Sequence, residues 1–168
     1  MRRGPDEEVL VARPDPPVTN GRLTCGSGVP GDRFDPPEDV EVRVPAGPRA
    51  VITMRTVAAD LAARAEFTLD AVADLRMAVD EACSSLVALA RPETRLTCTF
   101  NVHEERITVT ASVLTTGAER LDTDSFGWRV LTTLAGDVRM LSATPGQAGD
   151  PFRLALRLSV ERLGTPLS

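Results

Sequence analysis

The 168-residue chain has no lysine and no tyrosine, and its one histidine is His103. Without lysine, the chain cannot form a Walker A phosphate loop, a Schiff-base site or the lysine-dependent site of protein kinases. A single histidine likewise excludes a two-histidine zinc motif, and a Ser-His-Asp triad would have to use His103. That residue lies in the polar stretch 102–106, between two β-rich runs. We therefore expect His103 in a surface hairpin turn and not in a catalytic site.

Positive charge and long apolar runs are also scarce. The formal net charge of −5 at pH 7 disfavours direct binding to nucleic-acid phosphates. No apolar run approaches the about 18 residues that a membrane span needs, and Met1 is not followed by an apolar signal segment. Three widely spaced cysteines, Cys25, Cys83 and Cys98, form an odd set that fits a reducing compartment. We expect a cytoplasmic protein without a nucleic-acid or membrane partner, in which Cys83 and Cys98 pack in the core.

Composition divides the chain into a tail, a domain and a short end. Residues 1–38 are rich in proline and glycine and show neither helical nor strand periodicity, which is typical of a disordered segment. Residues 39–162 are predicted to form one domain, because a chain of this length supports one core of ordinary size. Residues 163–168 are assigned to a C-terminal tail.

Hydrophobic periodicity within the domain predicts the element order β, α, α, β, β, α, β, β. The first helix is predicted to start at Pro48, the second near Thr68 and the third after Asp124 or Ser125. This order predicts an α+β fold, a two-layer sandwich with the helices on one face of a mixed, mostly antiparallel sheet. The predicted helices end near 65, at Pro92 and at Gly136, and the predicted strands cover 40–44, 95–102, 106–113, 138–143 and 152–160.

The second predicted helix carries the most informative motif. Glu81 and Ser85 lie one turn apart and therefore face the same side of the helix. Taken alone, the adjacent acids Asp80 and Glu81 fit a solvated helix face better than a general-base pair. The stretch 74–86, DLRMAVDEACSSL, nevertheless resembles the conserved helix of the RsbW and SpoIIAB anti-sigma factors. These belong to the GHKL superfamily of histidine-kinase-like ATPases, in which the helix carries Glu-x-x-x-Asn.

A second stretch, 126–138 with the sequence FGWRVLTTLAGDV, resembles the helix that follows the nucleotide lid in the same family. The resemblance covers about residues 39–160, and its closest form is the actinobacterial anti-sigma F factor. It implies a Bergerat ATPase fold with a nucleotide pocket lined by Glu81, Ser85, Gly117 and Gly127. It also implies Glu81 as the candidate catalytic base and Ser85 at the magnesium position.

The pocket motifs depart from the family pattern at three places. Ser85 replaces the magnesium-holding asparagine and lacks its amide. The stretch 113–117, VLTTG, lacks the adenine-reading aspartate of the family's Asp-x-Gly-x-Gly motif, and Gly127 alone remains of the glycine-rich lid. We therefore expect a degenerate pocket with weak binding of ATP and magnesium, and no cofactor is firmly expected.

The resemblance implies an anti-sigma factor that sequesters an alternative sigma factor of the sigma F or sigma B type. An anti-anti-sigma factor with a STAS domain would release it by partner exchange, and the chain would form a homodimer. Arg55 lies where the family has a partner-binding arginine, counted back from Glu81 without gaps. Arg49 and Thr56, on the same predicted helix, are further candidates for partner binding. Two alternatives stay open: an ATP-dependent serine kinase that phosphorylates the anti-anti-sigma factor, and a docking domain with another target. The family is a protein serine/threonine kinase family, but the degraded nucleotide motifs favour an inactive member.

Overall fold

The computed structural model describes residues 38–143 and 151–162. The predicted tails lie outside these residues, except for Glu38, which is the first residue of β1. The sequence also predicts a loop over 144–151, of which only Pro151 is among the described residues. Among the described residues, the helices are too short or too polar to cross a bilayer. The elements are β1 (Glu38–Pro45), α1 (Pro48–Arg64), α2 (Leu69–Leu89), β2 (Arg95–Val102), β3 (Arg106–Thr115), α3 (Phe126–Leu134), β4 (Asp137–Ala143) and β5 (Phe152–Glu161).

The five strands form one sheet in the order β1-β2-β3-β5-β4. We expected a mixed, mostly antiparallel sheet, and every pairing within the described residues is antiparallel. The connections explain this result. Two helices run out and back between β1 and β2, so the chain re-enters the sheet in the opposite direction. One helix, α3, carries the chain from β3 to the edge strand β4, and β5 fills the place between them.

The core lies between one face of this sheet and the helices, which confirms the α+β two-layer arrangement. Alternate residues of β2, including Phe100, are fully buried, while their neighbours on the other face are partly exposed. Helix α2 covers the sheet with Leu75, Val79 and Leu86, which are all fully buried. Packing of this apolar face onto the sheet is the main source of stability for such a helix.

Cys83 of α2 and Cys98 of β2 lie within this core, as expected. Both side chains are fully buried, and their sulfur atoms are 3.7 Å apart. The hydrogen bond with Cys98, together with burial, raises the pKa of the Cys83 thiol well above its ordinary value. The two thiols therefore act as small apolar groups that join helix to sheet.

A Schellman turn joins α1 to α2. The backbone N–H of Phe67 donates to the carbonyl of Ala62, and the N–H of Glu66 donates to Ala63. Glu66 takes the left-handed conformation with φ of 58°, and buried Phe67 supplies the apolar contact that accompanies this motif. Thr68 then caps α2, as predicted, through its side chain and the N–H of Ala71. The chain reverses within four residues, so α1 and α2 form an antiparallel hairpin.

Helix α3 begins after Ser125, one of the two caps that the sequence allowed. Its hydroxyl accepts a hydrogen bond from the backbone N–H of Trp128 at 3.1 Å. This cap fixes the first turn of α3, where Gly127 lies. The helix ends at Leu134, slightly before Gly136, because Ala135 already has an extended backbone.

Candidate functional site

Helices α2 and α3 bring together three of the four residues predicted to line the pocket. Glu81 lies one turn before Ser85 on α2, and the Ser85 hydroxyl donates to Glu81 Oε1 at 3.4 Å. Gly127 lies in the first turn of α3, directly against the same carboxylate. A Cβ added to Gly127 would overlap Glu81 Oε1 and lie 3.1 Å from Glu81 Cδ. The Glu81 side chain therefore occupies the space that any larger residue at 127 would need.

This arrangement places a carboxylate at the amino end of a helix. The free N–H groups there carry partial positive charge, so a nearby carboxylate stabilises the helix. Glu81 is half-buried and accepts the hydrogen bond from Ser85. The Glu81 side chain thus contacts both Ser85 and the start of α3.

Gly117, the fourth predicted pocket residue, follows β3, where the Thr115 hydroxyl donates to the Gly117 carbonyl at 2.7 Å. A Cβ added to Gly117 would meet nothing within 4 Å, so the space on that side of the residue is open. The structure shows no close backbone approach that would require a glycine at this position.

The donor atoms available near Glu81 do not fit a magnesium ion well. Magnesium in nucleotide sites is held by one or two carboxylates together with phosphate oxygens. Here Glu81 is packed against Gly127, and Ser85 offers a hydroxyl in place of a carboxamide. Within 38–143 and 151–162, no group of three or more His, Cys, Asp or Glu side chains is arranged to hold a metal ion. We derive no chemical step through a nucleotide or a metal from this geometry.

The three residues predicted to bind partners lie on α1. Arg49 and Thr56 are exposed, and the Thr56 hydroxyl donates to the carbonyl of Ile52 at 2.8 Å within the helix. Arg55 is half-buried and reaches across to α2, where its NH1 atom donates to Asp80 Oδ1 at 2.9 Å. Arg55, the predicted partner-binding residue, therefore contacts Asp80, which directly precedes the predicted pocket residue Glu81 on α2.

Comparison with known proteins supports the same family. The sequence pattern of the histidine kinase-like ATPase domain matches residues 44–148, more than half of the chain. The chain is 34% identical over 119 residues to the anti-sigma-F factor RsbW of Mycobacterium tuberculosis (strain CDC 1551 / Oshkosh), which covers 70% of this chain and 71% of that relative. The chain belongs to the RsbW group of the histidine kinase-like ATPase family.

Other RsbW proteins are similar to this chain over different lengths. The serine-protein kinase RsbW of Bacillus cereus is 24% identical over 151 residues, which cover 78% of this chain and 94% of the relative. The serine-protein kinase RsbW of Bacillus subtilis (strain 168) is 36% identical over 73 residues, which cover 42% of this chain and 46% of the relative. The names of these RsbW relatives therefore include both a sigma-factor antagonist and a kinase.

The pairing of Arg55 with Asp80 was not predicted, although the sequence contains a signal for it. Arg55 lies 12 residues before Phe67, and Asp80 lies 12 residues after Thr68. In an antiparallel helical hairpin, residues at equal distances from the turn lie opposite each other. The helix bounds alone could therefore have predicted this contact, because the turn was correctly placed.

His103 lies in the turn between β2 and β3. Its backbone N–H donates to the carbonyl of Arg106 at 2.9 Å, which confirms the predicted hairpin turn. The side chain borders an open depression of about 420 Å³ whose lining includes Asp39, Asn101 and Arg157. Asn101 and Arg157 point away from the helices, because they alternate with buried core residues. The depression therefore lies on the face of the sheet that is turned away from α2, which carries Glu81 and Ser85.

Gly127→Ala tests the contact between α3 and Glu81. The added Cβ must displace the Glu81 carboxylate, whereas in a Glu81→Ala protein the space is free. Alanine is favoured over glycine in a helix by up to about 1 kcal/mol. We expect Gly127→Ala to be more favourable in the Glu81→Ala background than in the wild type by about 0.5 to 1 kcal/mol, at the low end of the coupling between touching residues, because the carboxylate is the end of a flexible side chain. Urea unfolding of the four proteins measures this difference.

Gly117→Ala is the matched control, since a Cβ there meets nothing within 4 Å. Its effect on the free energy of unfolding should be the same with and without Glu81. Equal effects of Gly127→Ala in the two backgrounds would show that Glu81 does not pack against Gly127 in solution.

Proposed function

We propose that this RsbW-type chain is an anti-sigma factor that binds an alternative RNA polymerase sigma factor of the sigma F or sigma B type. The observation that carries the proposal is the 34% identity over 119 residues to a relative named anti-sigma-F factor RsbW. An anti-anti-sigma factor with a STAS domain competes for the same surface and releases the sigma factor. The proposed partners imply a cytoplasmic site of action, and two copies of the chain form the working unit.

The exposed face of α1 provides the surface for this exchange. Arg49, Ile52 and Thr56 are exposed along it, and the Arg55 side chain is 36% exposed. Arginine beside apolar surface is a frequent centre of binding energy in protein interfaces. Two partners that both need this face exclude each other, so release requires only competition and no chemical step.

The pocket geometry favours partner exchange over phosphoryl transfer. A kinase of this family would use Glu81 as a base toward a serine of its partner. In this chain Glu81 packs against Gly127, and Ser85 bonds to Glu81. Val113 and Leu114 offer adenine no side-chain acceptor. We infer that the chain acts as a binding protein in an ATPase-like fold.

Sigma-factor binding by the full chain, measured by calorimetry without nucleotide, tests the proposed function. We expect binding, because the surface on α1 is made of protein side chains alone. Arg55→Ala should weaken it by about 2 kcal/mol, the scale of an interface hot spot. Absolute dependence on ATP would contradict the proposed mechanism. Unchanged affinity of a folded Arg55→Ala protein would remove Arg55 from the interface.

ATP titration tests the state of the pocket. A hydrogen bond to a charged group contributes about 1.5 to 3 kcal/mol. Loss of both the adenine-reading aspartate and the asparagine amide should therefore weaken nucleotide binding about a hundredfold to ten-thousandfold relative to an intact site. We expect no binding of ATP at micromolar concentration and no phosphorylation of the anti-anti-sigma factor. Magnesium-dependent affinity in the low micromolar range, abolished by Glu81→Ala, would support the kinase instead.

A further inference from the structure

The ion pair between Arg55 and Asp80 joins the partner-binding helix to α2. Its donor and acceptor atoms are 2.9 Å apart, and the two side chains keep 36% and 38% of their accessible surface. The pair is therefore neither buried in the core nor free in solvent. Arginine has five N–H donors, and the contact with Asp80 involves NH1. Donors of Arg55 remain available to an acceptor on a second molecule.

Two exposed apolar side chains flank this pair. Ile52 precedes Arg55 by three residues and is 54% exposed, and Met77 precedes Asp80 by three residues and is 55% exposed. Residues three apart lie on the same side of a helix, about one turn from each other. Because α1 and α2 are antiparallel, Ile52 and Met77 lie at opposite ends of the ion pair. We call these four residues, Ile52, Arg55, Met77 and Asp80, the hairpin surface.

We propose that the hairpin surface is one docking surface for the sigma factor, built by both helices, in which Asp80 positions Arg55 and Met77 adds a second apolar contact. The inference rests on the proposed function, which it extends from α1 to α2. The matching chemistry on the partner is a protein segment with a hydrogen-bond acceptor between two apolar side chains. Such a segment places its acceptor on Arg55 and its apolar groups on Ile52 and Met77.

Positioning by Asp80 has a physical reason. A free arginine side chain populates many rotamers, and it loses this freedom when a partner binds it. Asp80 holds the guanidinium in one orientation before binding, so less freedom is lost in the complex. Substitution of Asp80 should therefore weaken binding through Arg55 and should have no separate effect when Arg55 is absent.

A double-mutant cycle with the full chain tests this inference. Sigma-factor affinity is measured by calorimetry for the wild type, Asp80→Ala, Arg55→Ala and the double variant, after unfolding curves show that each is folded. We expect Asp80→Ala to weaken binding about tenfold in the wild-type background and not at all in the Arg55→Ala background. Asp80→Asn keeps an acceptor oxygen for Arg55 and should recover most of the lost affinity.

Two control substitutions separate this effect from general surface changes. Glu41→Ala removes another exposed arginine pair, with Arg43 at 2.8 Å on the edge strand β1, and should leave affinity unchanged. Met77→Ala should weaken binding about threefold, whereas Leu69→Ala, which truncates a side chain that is 88% exposed, should not.

The other outcomes contradict the inference in distinct ways. Equal losses from Asp80→Ala with and without Arg55 would show that Asp80 does not act through Arg55. Tighter binding by Asp80→Ala would show that Asp80 competes with the partner for the arginine. If the wild-type chain binds no sigma factor, the proposed function itself fails, and this inference fails with it.

Discussion

The packing of α2 against three neighbours is the constraint on which the rest of the structure depends. An α-helix turns by about 100° per residue, so consecutive side chains point in different directions. Val79 is fully buried on the sheet side, Asp80 binds Arg55 of α1, and Glu81 lies against Gly127 of α3. The apolar face fixes the rotation of the helix. Once that rotation is set, the directions of both acidic residues follow.

This constraint explains how the fold persists while the nucleotide motifs are altered. The core needs the apolar residues of α2 and the sheet, and these are fully buried. Ser85 and the stretch 113–117 depart from the family pattern where the resemblance implies nucleotide contacts. Glu81 contacts the first turn of α3, so it has a structural role that requires no nucleotide. The proposed partner surface on the helical hairpin is made of other residues than the predicted pocket.

Local sequence signals predicted much of the fold. The caps at Thr68 and Ser125 and the strand Arg95–Val102 depend on residues that are close in the chain, and their predictions are confirmed. The purely antiparallel sheet depends on how helices return the chain to the sheet, which periodicity does not encode. The contact between Glu81 and Gly127 joins residues 46 positions apart, so it required the structure. The resemblance had grouped these two residues with Ser85 and Gly117 in one predicted pocket.

Hydrogen exchange of the full chain, with and without the sigma factor and in the absence of nucleotide, tests whether the helical hairpin binds the partner. Amide protection reports which segments are stabilised in a complex. We expect slower exchange in α1 and in the part of α2 around residues 77–81, with no change at the start of α3. Protection centred on residues 126–131, or protection that appears only when ATP and magnesium are added, would contradict a nucleotide-independent docking surface on the hairpin.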